Sequence, residues 1–78
     1  MKLLVTNIAR NLSKEDFEKV FAKFGPLQEC NLVLDSKTQK SKGFGFVVIE
    51  DEALAQKAIE LVNGRLVNGQ KIKVKKSQ

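Results

Sequence analysis

The stretch Lys42-Gly43-Phe44-Gly45-Phe46-Val47-Val48-Ile49 decides how the rest of the chain folds. Val, Ile and Phe suit a pleated, half-buried surface, so the stretch reads as a β-strand. A strand sends alternate side chains to opposite faces. One face carries Lys42, Phe44, Phe46 and Val48; the other carries Gly43, Gly45, Val47 and Ile49. Either set could line a core, and the small residues settle which. Gly45 and Val47 leave room for a helix to pack closely, whereas Lys42 would be costly to bury unpaired. Two phenylalanines are then displayed beside a lysine on an open sheet. Exposed rings fit a partner with flat faces and the cation fits an anionic one. Single-stranded nucleic acid is both.

The flanking sequence supplies the layers around this strand. Lys2 to Thr6 is a short apolar strand, and Asn7 to Asn11 a loop. Ser13 is a good helix N-cap, with Asp16 three residues on in a capping-box-like pattern. Phe17, Val20, Phe21 and Phe24 follow at i, i+3, i+4 and i+7, one apolar helical stripe for the core. Gly25-Pro26 stops the helix. Leu27 to Leu34 is a second strand, with Cys30, Leu32 and Leu34 on one face and Asn31 and Val33 on the other. Asp35 to Ser41 is a polar loop. Asp51 can cap a second helix whose side is lined by Leu54, Ala55, Ala58, Ile59 and Val62, and Asn63-Gly64 ends it. Asn68-Gly69 signals a hairpin turn. Gln70 to Lys75 reads as the last strand, with Ile72 and Val74 inward and Lys71, Lys73 and Lys75 outward.

The order strand, helix, strand, strand, helix, strand is the split βαβ pattern of the α+β, ferredoxin-like fold, βαββαβ. Both helices then cover one face of a four-stranded antiparallel sheet and leave the other open. The Lys42–Ile49 octet also resembles the longer signature of the RNA recognition motif, Lys/Arg-Gly-Phe/Tyr-Gly/Ala-Phe-Val-x-Phe/Tyr. It departs only at the last position, where Ile49 stands for an aromatic. The family's shorter signature falls on Leu3-Leu4-Val5-Thr6-Asn7-Ile8, with Leu4 where an aromatic is usual. The resemblance spans essentially the whole chain, residues 1–78, and implies the strand order fourth, first, third, second (4-1-3-2). It also implies that Phe44 and Phe46 stack bases, that Lys42 meets phosphate, and that the platform at Leu4 lacks its ring.

Length and composition bound the alternatives. At 78 residues the chain is one domain by length and needs nearly all its apolar residues for the core. The Met1 start suits a whole small protein, though one domain of a larger one fits as well. The formal charge is +5, favouring anionic partners. No acid lies between Asp35 and Glu50, or after Glu60. Cys30 is the only cysteine, so no internal disulfide argues for secretion. No apolar run approaches the roughly 18 residues that suggest a membrane span. An intracellular monomer is expected, cytoplasmic, or nuclear in a eukaryote.

The expected nucleic-acid site comprises Lys2, Leu4, Thr6, Asn31, Lys42, Phe44, Phe46, Lys71, Lys73 and Lys75. The last three lysines have a second reading, because lysines on an edge strand discourage pairing with other chains. Asn31 and Thr6 could hydrogen-bond base edges. Lys37 and Lys40 lie in a loop that could close over a ligand. The expected partner is single-stranded RNA. Single-stranded DNA is an alternative, since rings and lysines scarcely sense the sugar. A protein-interaction domain is another, using the Leu4–Val33–Phe46–Val48 patch or a helix face. No catalysis, metal or cofactor is expected. The chain has no histidine and no Cys/His cluster. Gly43-x-Gly45 lacks the third glycine of a dinucleotide loop, and Glu15, Asp16 and Glu18 lie on a solvated helix side rather than in a pocket.

Overall fold

The first strand, β1, spans Lys2–Thr6 and buries Leu3 and Val5 while Leu4 and Thr6 stay half-exposed on the other side. This alternation comes directly from the period of two along a strand. Helix α1 spans Lys14–Ala22. Its start is fixed by the Ser13 hydroxyl, which accepts from the backbone N–H of Asp16 at 3.1 Å, and by Glu15 and Asp16 in the first turn, where acids complement the helix dipole. Phe17 and Phe21 are buried from this helix, with rings edge-to-face at 5.6 Å. The helix closes before the end of the apolar stripe, yet Phe24 still delivers its ring to the core. Gly25 follows at φ +102°, a left-handed value that suits glycine at a helix end.

Strand β2 covers Leu27–Leu34 and β3 covers Ser41–Ile49. Helix α2 spans Glu52–Val62 and is capped by the Asp51 carboxylate, which accepts from the N–H groups of Ala53 and Leu54 at 2.8 and 3.1 Å. Its buried face is Ala55, Ala58 and Val62, and the two alanines let it lie close to the sheet. The structure is a computed structural model and describes residues 1–77. Among these, no helix is long and apolar enough to cross a membrane.

The C-terminal segment differs from the single strand expected over Gln70–Lys75. Leu66–Val67 and Gln70–Lys71 form a separate small hairpin, β4 and β5, around Asn68 and Gly69 at φ +51° and +83°. The main-sheet strand, β6, then runs from Lys73 to Ser77. The break falls at Ile72 for a physical reason. Its N–H donates to the carbonyl of Arg65 at 3.0 Å, and its carbonyl accepts from the N–H of Gly64 at 2.7 Å. Both backbone groups are committed to the chain leaving α2, so neither joins the ladder. Asn63 makes a further tie, its Oδ1 accepting from the N–H of Val74 at 3.0 Å. Ile72 and Val74 are inward as expected.

The four main strands pair antiparallel in the order β2-β3-β1-β6, which is the expected 4-1-3-2 arrangement read from the other edge. The buried cluster joins Leu3, Val5, Val47, Ile49 and Val74 of the sheet to Phe17, Phe21, Ala55, Ala58 and Val62 of the helices. Both helices therefore lie on one face. Gly45 is where the layers are tightest. A Cβ there would stand 2.5 Å from the carbonyl oxygen of Asn31 and 3.3 Å from Cζ of Phe17. The helix does approach, as the small residue suggested, but the neighbouring backbone of β2 is closer still. Beyond Gly45 the β2–β3 ladder slips: β3 runs from Gly45 back to Ser41 while β2 advances only from Leu32 to Leu34. Gly43, at φ +97°, lies inside this bulge. Leu34, expected inward, is consequently 39% exposed at the strand's end.

Two substitutions test this packing by urea unfolding. Phe21→Ala should cost about 3–5 kcal/mol as a truncation of a fully buried ring. Gly45→Ala should cost about 1–3 kcal/mol through overpacking. Unchanged stability of Gly45→Ala would show that the β2–β3 spacing yields freely.

Candidate nucleic-acid interface

The registers assemble the outward side chains into rows across the sheet, because directly paired residues of antiparallel strands project to the same side. The central row is Asn31, Phe46, Leu4 and Lys75, contributed in turn by β2, β3, β1 and β6. The next row towards the β3 start is Phe44, Thr6 and Lys73. On the other side lie Glu29, Val48, Lys2 and Ser77. Two phenylalanines thus sit on adjacent rows of the same strand, with β1 beside them and lysines along the β6 edge.

Neither ring is part of the core. Phe44 is 42% exposed and Phe46 is half-buried, while their neighbours Gly45 and Val47 are buried. The faces expected from Gly45, Val47 and Lys42 are the ones the structure adopts. Phe46 is partly covered by a charge: Nζ of Lys2 lies 4.3 Å from its ring centroid, within cation–π range. Leu4 fills the position beside Phe46 with an apolar but non-planar surface.

Of the ten expected site residues, nine project from or border the open face. Lys71 is the exception. It belongs to β5 in the hairpin, outside the four-stranded sheet. The hairpin is nevertheless tied to the end of β1, because Nδ2 of Asn7 donates to the Lys71 carbonyl at 2.6 Å. Lys42 is exposed at the β3 start. The loop from Asp35 to Lys40 is folded tightly upon itself. The Asp35 carboxylate accepts from the N–H groups of Lys37 and Thr38 at 2.8 and 3.1 Å. These two hydrogen bonds hold its carboxyl below the usual carboxylate range.

Two residues near the site were not among those expected. Glu29 places an acid on the outer row opposite Val48. The alternation along β2, with Cys30 inward, implies as much. Arg10 is exposed in the loop after β1, and its carbonyl accepts from the N–H of Ser41 at 3.2 Å, bringing this cation to the β3 start with Lys42. Nothing local in Asn7–Asn11 marks that approach. Cys30 faces the helices, half-buried, and its thiol is pushed up to about 11, chiefly by desolvation and then by the charge of Glu18. It is a poor nucleophile there. The open face has a half-exposed apolar centre with cations at its margins, an arrangement that suits a planar anionic ligand.

Comparison with known proteins agrees with this geometry. The family model described as RNA recognition motif matches residues 3–73. The N-terminal RNA binding domain of a hypothetical protein, solved in solution, shares 39% identity at a TM-score of 0.93, over 99% of this chain and 78% of that one. The crystal structure of RNA binding protein PG1 shares 32% identity at a TM-score of 0.89, over 99% of this chain and 93% of that one. RNA recognition domains 1 and 2 of Sex-lethal from Drosophila melanogaster share 28% identity at a TM-score of 0.91, over 99% of this chain and 49% of that longer one.

The exposure of the rings has a consequence for stability. Phe44→Ala should change the unfolding free energy by less than about 1 kcal/mol, as surface substitutions usually do. Unfolding of Phe44→Ala on the scale of a core truncation would mean that the ring is structural.

Proposed function

The chain belongs to the RNA recognition motif family, and from that premise we propose that it binds single-stranded RNA across its open sheet. The observation that carries this reading is the placement of Phe44 and Phe46 outward on adjacent rows. Bases stack on the two rings, an interaction that tolerates any base because each has a π-face. Leu4 gives apolar contact to the nucleotide beside Phe46, with less overlap than an aromatic would provide. Asn31 and Thr6, which share rows with Phe46 and Phe44, hydrogen-bond base edges. Lys73 and Lys75 attract the backbone along β6, and Lys42 with Arg10 does so at the β3 start. Lys2 leaves the Phe46 ring when a base arrives and turns to phosphate. The reading assigns no reaction to the chain.

Leu4 favours one second reading, in which it joins Val33, Phe46 and Val48 as an apolar contact for a partner protein. Salt separates the two. Phosphate binding weakens steeply as salt rises, whereas an apolar protein contact barely responds.

Fluorescence anisotropy with one labelled RNA oligomer at fixed salt tests the stacking. Phe44→Ala and Phe46→Ala should each weaken binding by about 1–3 kcal/mol. Leu4→Tyr should tighten it by about 1 kcal/mol, the lower end of the stacking scale. Unchanged or weaker binding by Leu4→Tyr would show that RNA does not cross β1, and would favour the partner-protein reading.

The salt series tests the charges. Lys73→Gln with Lys75→Gln should lower the salt slope by roughly 0.7 for each phosphate that is no longer neutralised. Lys71→Gln, off the sheet, should leave the slope unchanged. A slope that ignores the Lys73 and Lys75 changes would assign these lysines to edge protection alone.

A further inference from the structure

On the helix-covered side, a recess of about 400 Å³ opens between α1 and the β4–β5 hairpin. Lys19, Val20 and Lys23 of α1 and its end form one wall; Arg65, Leu66 and Val67 form the other. Every ionisable side chain lining it is a cation. None of the acids of α1 lines the recess: Glu18 acts on Cys30, on the β2 side of the helix, and Asp16 stands a helical turn before Lys19 and Val20. The floor is apolar, since Val20 and Val67 pack against the core. Leu66, which also lines the recess, is 63% exposed, more than any other large apolar side chain described. In so small a domain an aliphatic side chain this exposed is not part of the core, and it stands among three cations.

We propose that this recess docks a short acidic protein segment. One aliphatic side chain of the segment seats against Val20, Leu66 and Val67, and its carboxylates engage Lys19, Lys23 and Arg65. Charge complementarity selects an anionic occupant, and Arg with Lys suits carboxylates. The exposed leucine selects one that also offers apolar surface. Nucleic acid fits less well, because no aromatic side chain lines the recess to stack a base. The occupant would leave the open sheet untouched, so the chain could hold RNA and a protein segment together.

The probe is a fluorescein-labelled acidic peptide with one central leucine, alongside the same peptide with serine at that position. Backbone amide resonances of the full chain are followed in parallel. The leucine peptide should bind saturably and shift the resonances of residues 19–23 and 65–68. The serine peptide should bind about tenfold more weakly, the equivalent of about 1.4 kcal/mol. Leu66→Ser, and separately Lys19→Gln with Lys23→Gln, should each weaken the leucine peptide about fivefold or more. Both variants should keep the native amide spectrum and bind labelled oligouridine as the unaltered chain does. The proposal is overturned if the leucine peptide does not saturate, if both peptides bind alike, or if the shifts fall on the sheet. Competition by oligouridine for the recess would also overturn it, and would make this surface an extension of the nucleic-acid path. Loss of oligouridine binding in Phe44→Ala leaves the peptide arm unaffected, so the two sites fail independently.

Discussion

The close approach at Gly45 is the constraint on which the structure depends. A carbon atom added there would meet the carbonyl of Asn31 and the ring of Phe17 at once. Strand β2 and helix α1 therefore converge on one point of β3, and only the absence of a side chain permits it. This fixes which side of β3 is inside. Once Gly45 and Val47 face the helices, the pleat sends Phe44 and Phe46 the other way. The open face and the core are two sides of a single packing decision.

That arrangement uses two of five phenylalanines outside the core. A chain of this size has little apolar surface to spare. It compensates by packing Phe17, Phe21 and Phe24 into one cluster with Ile8, Leu12 and the inward aliphatics of the sheet. The helices contribute complementary shapes. α1 inserts rings, whereas α2 presents Ala55 and Ala58 and so sits close to the strands. The open face is left without a covering layer, and its half-exposed apolar centre is legible as a site for that reason.

How much the sequence discloses depends on whether the governing interaction is local. Ser13, Asp51, Gly25 and the Asn68-Gly69 turn act within a few residues of themselves, and each sits where its chemistry indicates. The faces of β3 follow from period two and residue size alone. The end of the chain does not. Nothing in Gln70–Lys75 reveals that Ile72 gives its N–H to Arg65 and its carbonyl to Gly64. Those bonds cross from one element to another, and they move Lys71 from the sheet into the hairpin. Leu34 departs from expectation similarly, because the bulge around Gly43 shifts its partner. Arg10 comes near Lys42 only through a backbone bond from its loop to Ser41. The centre of the candidate site and the lysines of its own strands are therefore legible in the sequence, whereas the displacement of Lys71 and the approach of Arg10 are not.

The ammonium of Lys2 over the Phe46 ring changes what an incoming base encounters. The platform is not bare in the free protein, since a tenant already holds one face of it. On the proposed reading, docking is an exchange: a planar ring displaces a hydrated cation. What stacking contributes is then only the margin by which the base outcompetes the ammonium. The evicted charge remains tethered by its own strand, within reach of the phosphate attached to that base. A neutral planar ligand would evict the lysine and leave it without an anion. On that same proposed reading a nucleotide brings both replacements in one molecule, and the arrangement would favour bases that arrive with their phosphates.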